Sequence, residues 1–413
     1  MADIWPAVAL AGLAFALYAS MALRLAQGSY SDYWNLAFDY DPQKYVDLLA
    51  GPMEWRGDAK HPLYALLRPL AWPLVAAGAA PKAAAGLLMA GFAAASVALV
   101  FLAMRVLGAG RPLAWLLAGA FALSGSQLHL AMIPESYGPA MTGLLAGWLL
   151  GLRAARGDGD AAGWSIAAAV FSMGVTLTNV VQPGLVRLAQ AIGEKRGFAG
   201  LLRWGLAVLA ISALLAALVW HEALGELLAD PALALKEVYW MRAAVSEKVG
   251  LAVLVPSFAA WSFVTPGHEV VPIAGGIGMW DIRSARYGLL GWAACAAWVA
   301  VLLLGVAGWM RAAAWRRMGF VLIAAVAFNL LLHIDFQFRG SVYLYAAHLH
   351  VPLYLLGAGG LVLGMRERAG ALVVALLLAG LFAAQNLPLA WSFAAGFDAV
   401  DVPCPAPCAA GGV

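Results

Sequence analysis

The residues best suited to do chemistry stand early in the chain. The stretch FDYDPQKY carries Asp39 and Asp41 two positions apart. In an extended segment such positions point the same way, so both carboxylates can face one cavity, or one can face it while the other orients a partner. A carboxylate at the edge of an apolar cavity takes a proton from a hydroxyl when partial burial lifts its pKa. The same residues have a plainer use, since Asp-Pro starts turns and Asp caps helices. We expect at least one of Asp41 and Asp39 to be catalytic, with Asp32 a further candidate for substrate contact.

Cations follow at once. Arg56, Lys60, His61 and Arg68 are placed to neutralise a phosphate, arginine offering a two-pronged fork. Lys60 and Arg68 also suit snorkelling to lipid headgroups. A second acidic position is Glu135 in PESYGP, with Tyr137 beside it. It either caps the following helix or points into the same space as the first loop. His129, a turn and a half earlier, reads as a packing residue. Thr178, Asn179 and Gln182 interrupt apolar sequence and suit the satisfaction of a broken backbone. Late in the chain, HIDFQFRGSVYLYAAHLHVPLY offers Asp335, Arg339, His348 and His350. Arg339 is the best lipid-phosphate clamp by type and position, with Lys60, His61 and His348 as companions. Asp32, Asp39, Asp41 and Glu135 supply enough oxygen ligands for a divalent cation such as Mg or Mn, a question the spacing leaves open.

These residues need a frame. The chain is 64% hydrophobic and 11% charged over 413 residues, which puts it among membrane proteins. The fold class expected is an all-α polytopic membrane protein of about 11 transmembrane helices, near 4–26, 83–105, 112–131, 137–153, 162–178, 180–193, 201–220, 287–309, 317–334, 343–364 and 370–390. The pair 162–178 and 180–193 breaks at Thr178-Asn179, with Pro183 in the first turn of its second member. The segment 61–80 has prolines at 62, 69 and 73 and reads as interfacial helical pieces, as do 232–248 and 251–264. The first apolar segment has no basic leader and no cleavage signal, so it reads as an uncleaved helix.

Charge sets the orientation. The connectors 105–111, 153–161, 194–203, 311–317 and 365–369, with Arg187, hold 13 of the 25 basic residues, against 5 of the 22 acids on that face. The positive-inside rule makes this face cytoplasmic, with the N-terminus inside and the C-terminus outside. Outside then lie the long loop 27–82, the turn at Glu135 and the loop 221–286. We read 1–390 as one membrane domain and 391–413 as an extracytoplasmic tail. No basic tail or arginine-rich helix points to nucleic acid. No metal-ligand motif, Gly-rich phosphate loop or nucleophile elbow stands out. Cys404 and Cys408 in CPAPC suit a small disulfide or free thiols better than a metal.

A carboxylate-bearing first outer loop, HPLY, an outward PESY turn, the broken pair at LTNVVQPG and a late outer basic residue together resemble the GT-C superfamily of integral-membrane glycosyltransferases. The resemblance implies a polyprenyl-phosphate-linked sugar donor and transfer to an extracytoplasmic glycan, lipid or protein acceptor at the cell envelope. It makes Asp41 or Asp39 the base, places Arg339 or Lys60 on the donor phosphate, and suggests a bacterial inner membrane. The rival class is a transporter or lipid flippase, whose signature is broken helices with polar residues at mid-membrane.

Overall fold

Hydrocarbon offers a peptide group no partner but another peptide group, so long apolar runs here become helices. The computed structural model describes residues 2–28, 30, 38, 40–51, 61–158, 162–192, 197–219, 229–230, 232, 249–273, 277–282, 284–337, 342–365 and 368–396. In chain order the helices begin with α1 (Ile4–Gln27), α2 (Pro42–Ala50), α3 (Arg68–Ala76), α4 (Pro81–Val106) and α5 (Arg111–Ala122). Next come α6 (Gly125–Leu130), α7 (Tyr137–Arg156), α8 (Ala162–Val175), α9 (Val181–Ala191) and α10 (Gly197–Val219). The set closes with α11 (Leu251–Trp261), α12 (Leu289–Arg311), α13 (Arg316–Asp335), α14 (Ala346–Gly364) and α15 (Arg368–Gly396). One short antiparallel hairpin pairs β1 (Glu269–Ile273) with β2 (Ile277–Asp281).

Seven of these helices are long and apolar enough to cross a membrane: α1, α4, α10, α12, α13, α14 and α15. The chain is a membrane protein. Eleven spans were expected, and four of them differ. The helix expected over 112–131 is two, α5 and α6, separated at Leu123 and Ser124. Ser-Gly-Ser favours a break there, and imported partners make it tolerable. Asn386 donates to the carbonyls of Leu123 at 2.8 Å and Phe263 at 2.7 Å. Tyr18 donates to the Ala122 carbonyl at 2.8 Å. α7 has twenty residues but opens Tyr-Gly-Pro and closes on two arginines. α8 and α9 have 14 and 11 residues and flank a 3-10 turn at Leu177–Val180, where the break was expected. α3 has nine residues and rises about 14 Å, half a hydrocarbon thickness. α15 runs six residues into the expected tail.

The helices close around α4 and α7. α4 packs on α1, α5 and α7; α7 packs on α8, α9 and α14; α12 joins α14 and α15. Their contact faces are rich in small residues, which lets backbones approach. The lipid face is large and apolar, as on α10, where Leu202, Leu206, Leu209 and Leu218 are exposed. The ends of α4 and α7, Asp3 and Trp315 line one cavity, and Arg317 reaches the carbonyls ending α9, so one face gathers the arginine-bearing connectors.

The α12–α14 contact is the tightest. A Cβ on Gly308 would lie 1.9 Å from the Gly360 carbonyl oxygen, and one on Gly360 would lie 1.9 Å from that of Gly305. Gly380, on α15, has open space around its Cβ position. Gly308→Ala is expected to force the backbones apart and lose about 1–3 kcal/mol or more of stability. Gly380→Ala should change it by less than about 1 kcal/mol. Unfolding midpoints of the two variants in detergent check the contrast.

Candidate functional site

Asp41 ends the first loop. Two residues hold that loop. Phe38 is buried with φ 52, a conformation rare for a residue with a side chain. Its ring packs on Tyr343, His129, Tyr40 and Phe393, at 4.9 to 5.8 Å between centroids. Tyr40 is buried and lies 6.2 Å from the Tyr137 ring. Asp41 then occupies the N-cap of α2, with Pro42 at its first position, yet its side chain makes no capping bond. Tyr45, Val46, Leu48 and Leu49 of α2 bury against Tyr64, Ala85, Met89 and Ala140, fixing α2 on α4 and α7.

Glu135 is brought to Asp41 by the turn between α6 and α7. The Asp41 backbone N–H donates to Glu135 Oε2 at 3.1 Å, across 94 residues of chain. The Ser136 N–H and hydroxyl donate to Oε1 at 3.0 and 3.3 Å. Tyr64 donates its phenol to the Glu135 carbonyl at 3.2 Å. Only 4% of Glu135 is exposed. Burial and then the Asp41 carboxylate push the Glu135 pKa up to about 7, and the two backbone N–H donors only partly offset them. Burial, joined by the carboxylate charges, also holds the phenols of Tyr30, Tyr40, Tyr64 and Tyr137 well above their ordinary value. These four rings remain neutral donors at any working pH. His268, in the second long loop, is lowered to about 4 by burial and is neutral as well.

Of the expected site residues, Asp41, Glu135, Tyr137, His61 and His348 lie among the described residues. Asp32, Asp39, Lys60 and Arg339 lie outside them. Asp41, Glu135 and Tyr137 come together. His348 is buried with its ring 5.2 Å from Tyr137 and 6.2 Å from His333. Its carbonyl accepts from Gln182 Nε2 at 2.7 Å, while Gln182 Oε1 accepts from the Trp148 indole at 2.9 Å. Gln182 thus ties three helices, in keeping with a polar residue that satisfies buried backbone. His61 Nδ1 lies 2.6 Å from the Val175 carbonyl, so Nδ1 carries a proton and donates it there. Its ring lies 6.0 Å from that of Tyr45 and 6.5 Å from that of Tyr64. His129 is packed as expected, Nδ1 donating to the Gly125 carbonyl at 2.9 Å. Tyr30, Tyr40 and Tyr64 were not singled out from sequence. The density of tyrosine within an acidic loop was the available signal.

Among the described residues no group of three or more His, Cys, Asp or Glu side chains is placed to hold a metal ion. Asp41 and Glu135 are two of the four oxygen donors considered for one. The arrangement brings two acidic residues together, one of them poised near neutrality, among neutral phenols.

No family model matches the chain, and no curated protein matches it. Among solved structures, the Archaeoglobus fulgidus oligosaccharyltransferase in its apo form aligns at 13% identity with a TM-score of 0.48. The alignment covers 93% of this chain and 56% of that one, so the chain spans little more than half that protein's length.

The raised pKa of Glu135 makes stability depend on pH. Folded, the group holds its proton more tightly than the ordinary value of 4.5 allows. Its contribution is complete below about 4.5 and is lost as pH rises through about 7. Wild type is therefore expected to lose on the order of 3 kcal/mol between pH 4.5 and 8 from this group, and Glu135→Gln to lose none of it. Unfolding midpoints of both proteins across that range test the difference.

Proposed function

We propose that this protein is an integral-membrane glycosyltransferase of the GT-C kind, moving a sugar from a polyprenyl-phosphate donor to an extracytoplasmic acceptor. The observation that carries the reading is the Asp41–Glu135 contact: two acidic residues far apart in sequence, joined by the Asp41 amide N–H on the buried Glu135 carboxylate, in a tyrosine-lined turn of a membrane protein.

Asp41 takes the proton from the acceptor hydroxyl. The freed oxygen attacks the anomeric carbon, and the bond from that carbon to the lipid phosphate oxygen breaks. Attack from the face opposite the leaving group inverts the anomeric centre. Glu135 holds the Asp41 amide and, once ionised, raises the basicity of its neighbour through charge repulsion. Lys60 and Arg339 take the phosphate by residue type and place in the sequence, with His61 and His348 as companions. The orientation proposed is N-terminus cytoplasmic and C-terminus extracytoplasmic, in a bacterial inner membrane.

The transporter or flippase reading has one observation in its favour. Ser172, Thr176 and Asn179, at the break between α8 and α9, carry buried polar atoms with no hydrogen-bond partner among the described residues. Polar atoms at a helix break are what a translocation path would use.

Sugar transfer from a panel of radiolabelled polyprenyl-phosphate sugars in membranes separates the two. Wild type should transfer from at least one donor, and folded Asp41→Asn should fall by about 10²–10⁴-fold. Transfer should rise with pH through about 7, following Glu135, and the rise should vanish in Glu135→Gln. No transfer from any donor, alongside ligand flux in proteoliposomes, overturns the enzyme.

A further inference from the structure

A cavity of about 810 Å³ opens at the end of α7 remote from Glu135. The twenty residues of α7 separate the two by about 30 Å, so the cavity is no part of the carboxylate site. Arg105, Arg153 and Arg156 line it, with Asp3 and Asp158; Leu102, Leu149 and Trp315 supply an apolar wall. Its size is that of a small-molecule site.

The charges are unequally engaged. Asp3 is held by two arginines, Arg105 at 3.1 Å and Arg111 at 3.0 Å. Arg105 also donates to the Ala109 carbonyl in the connector that follows α4. Asp158 meets Arg156 only at 3.8 Å, with both side chains well exposed, a pair worth little. Among the described residues no carboxylate engages the Arg153 guanidinium. The left-handed turn at Gly157, φ 87, reverses the chain here and sets Asp158 beside Arg156. Arg156 also donates to the Val106 carbonyl at 3.5 Å, so of these two guanidinium groups, one turn apart beside half-buried leucine and indole, Arg153 is the less engaged.

Guanidinium forks above an apolar wall fit a phosphodiester carrying acyl chains. We propose that this cavity binds the headgroup of an anionic phospholipid from the leaflet on the arginine-rich face. Arg153 and Arg156 hold the phosphodiester, and Leu102, Leu149 and Trp315 take the first methylenes of its chains. The indole is suited to that depth, where rings sit at headgroup level. The connectors that meet here belong to the N-terminus, α4, α7 and the α12–α13 turn, so an occupant would tie four elements together.

The test uses the full-length protein in neutral detergent, with phosphatidylglycerol and phosphatidylcholine offered together and bound lipid counted by native mass spectrometry. Phosphatidylglycerol should be retained about tenfold over phosphatidylcholine, and the double variant R153Q/R156Q should bring the two near parity. Preference unchanged in that variant, or absent from wild type, overturns the proposal. A salt series on wild type needs no variant: the preference should shrink severalfold from 0.05 to about 0.5 M salt, and indifference to salt overturns the charge argument. Glycerol phosphate distinguishes the source. If millimolar glycerol phosphate displaces the lipid, the site takes a free phosphate; if it does not, the lipid is the ligand.

Discussion

A peptide group left without a partner in hydrocarbon costs several kcal/mol, and that cost shapes every irregularity of this chain. The helices break at Leu123–Ser124 and at Leu177–Val180, and side chains from distant segments answer for the first break. Asn386 comes from α15, Tyr18 from α1, and Ser124 shares a 2.8 Å bond with His350 of α14. Each import is also a cross-tie. The break between α5 and α6 therefore ties α1, α14 and α15 to the segment that leads into the turn carrying Glu135.

The chemistry of Glu135 follows from what partners it. A lysine or arginine at contact distance would hold the carboxylate ionised and its pKa low. Here the contacts are a serine hydroxyl and two neutral backbone amides, one its own neighbour's and one Asp41's. Two amide bonds do not replace the water lost on burial, and Lys44 lowers the pKa least of the contributing groups. The balance settles near neutrality, where a small change in charge nearby changes the proton's position. The phenols around it stay neutral and add no charge to the site.

The membrane class, the broken α8–α9 pair and the positions of Asp41 and Glu135 were legible in the sequence, because hydropathy and misplaced charge are local signals. The Leu123–Ser124 break was not, since Asn386 licenses it from more than 260 residues away. Nor was the meeting of Asp41 with Glu135. Each was visible alone, but their contact depends on α2 docking on α4 and α7, a matter of packing that periodicity does not reveal. Nor do the partners of His61 and His348 show in a sequence pattern: His61 Nδ1 donates to the Val175 carbonyl, and the His348 ring packs on Tyr137.

The two acidic residues are held by different kinds of contact. Glu135 stands at the head of α7, whose small residues let it pack closely. A Cβ on Gly143 would clash with Phe171 and one on Gly151 with Val186. The Trp148–Gln182–His348 chain cross-braces the same helix. Asp41 sits on a loop anchored by Phe38 in a left-handed conformation, which costs on the order of 1 kcal/mol or more and persists only where packing insists on it. The Glu135 side is thus fixed by helix packing, and the Asp41 side by ring packing, by the docking of α2 on α4 and α7, and by the amide bond to Glu135.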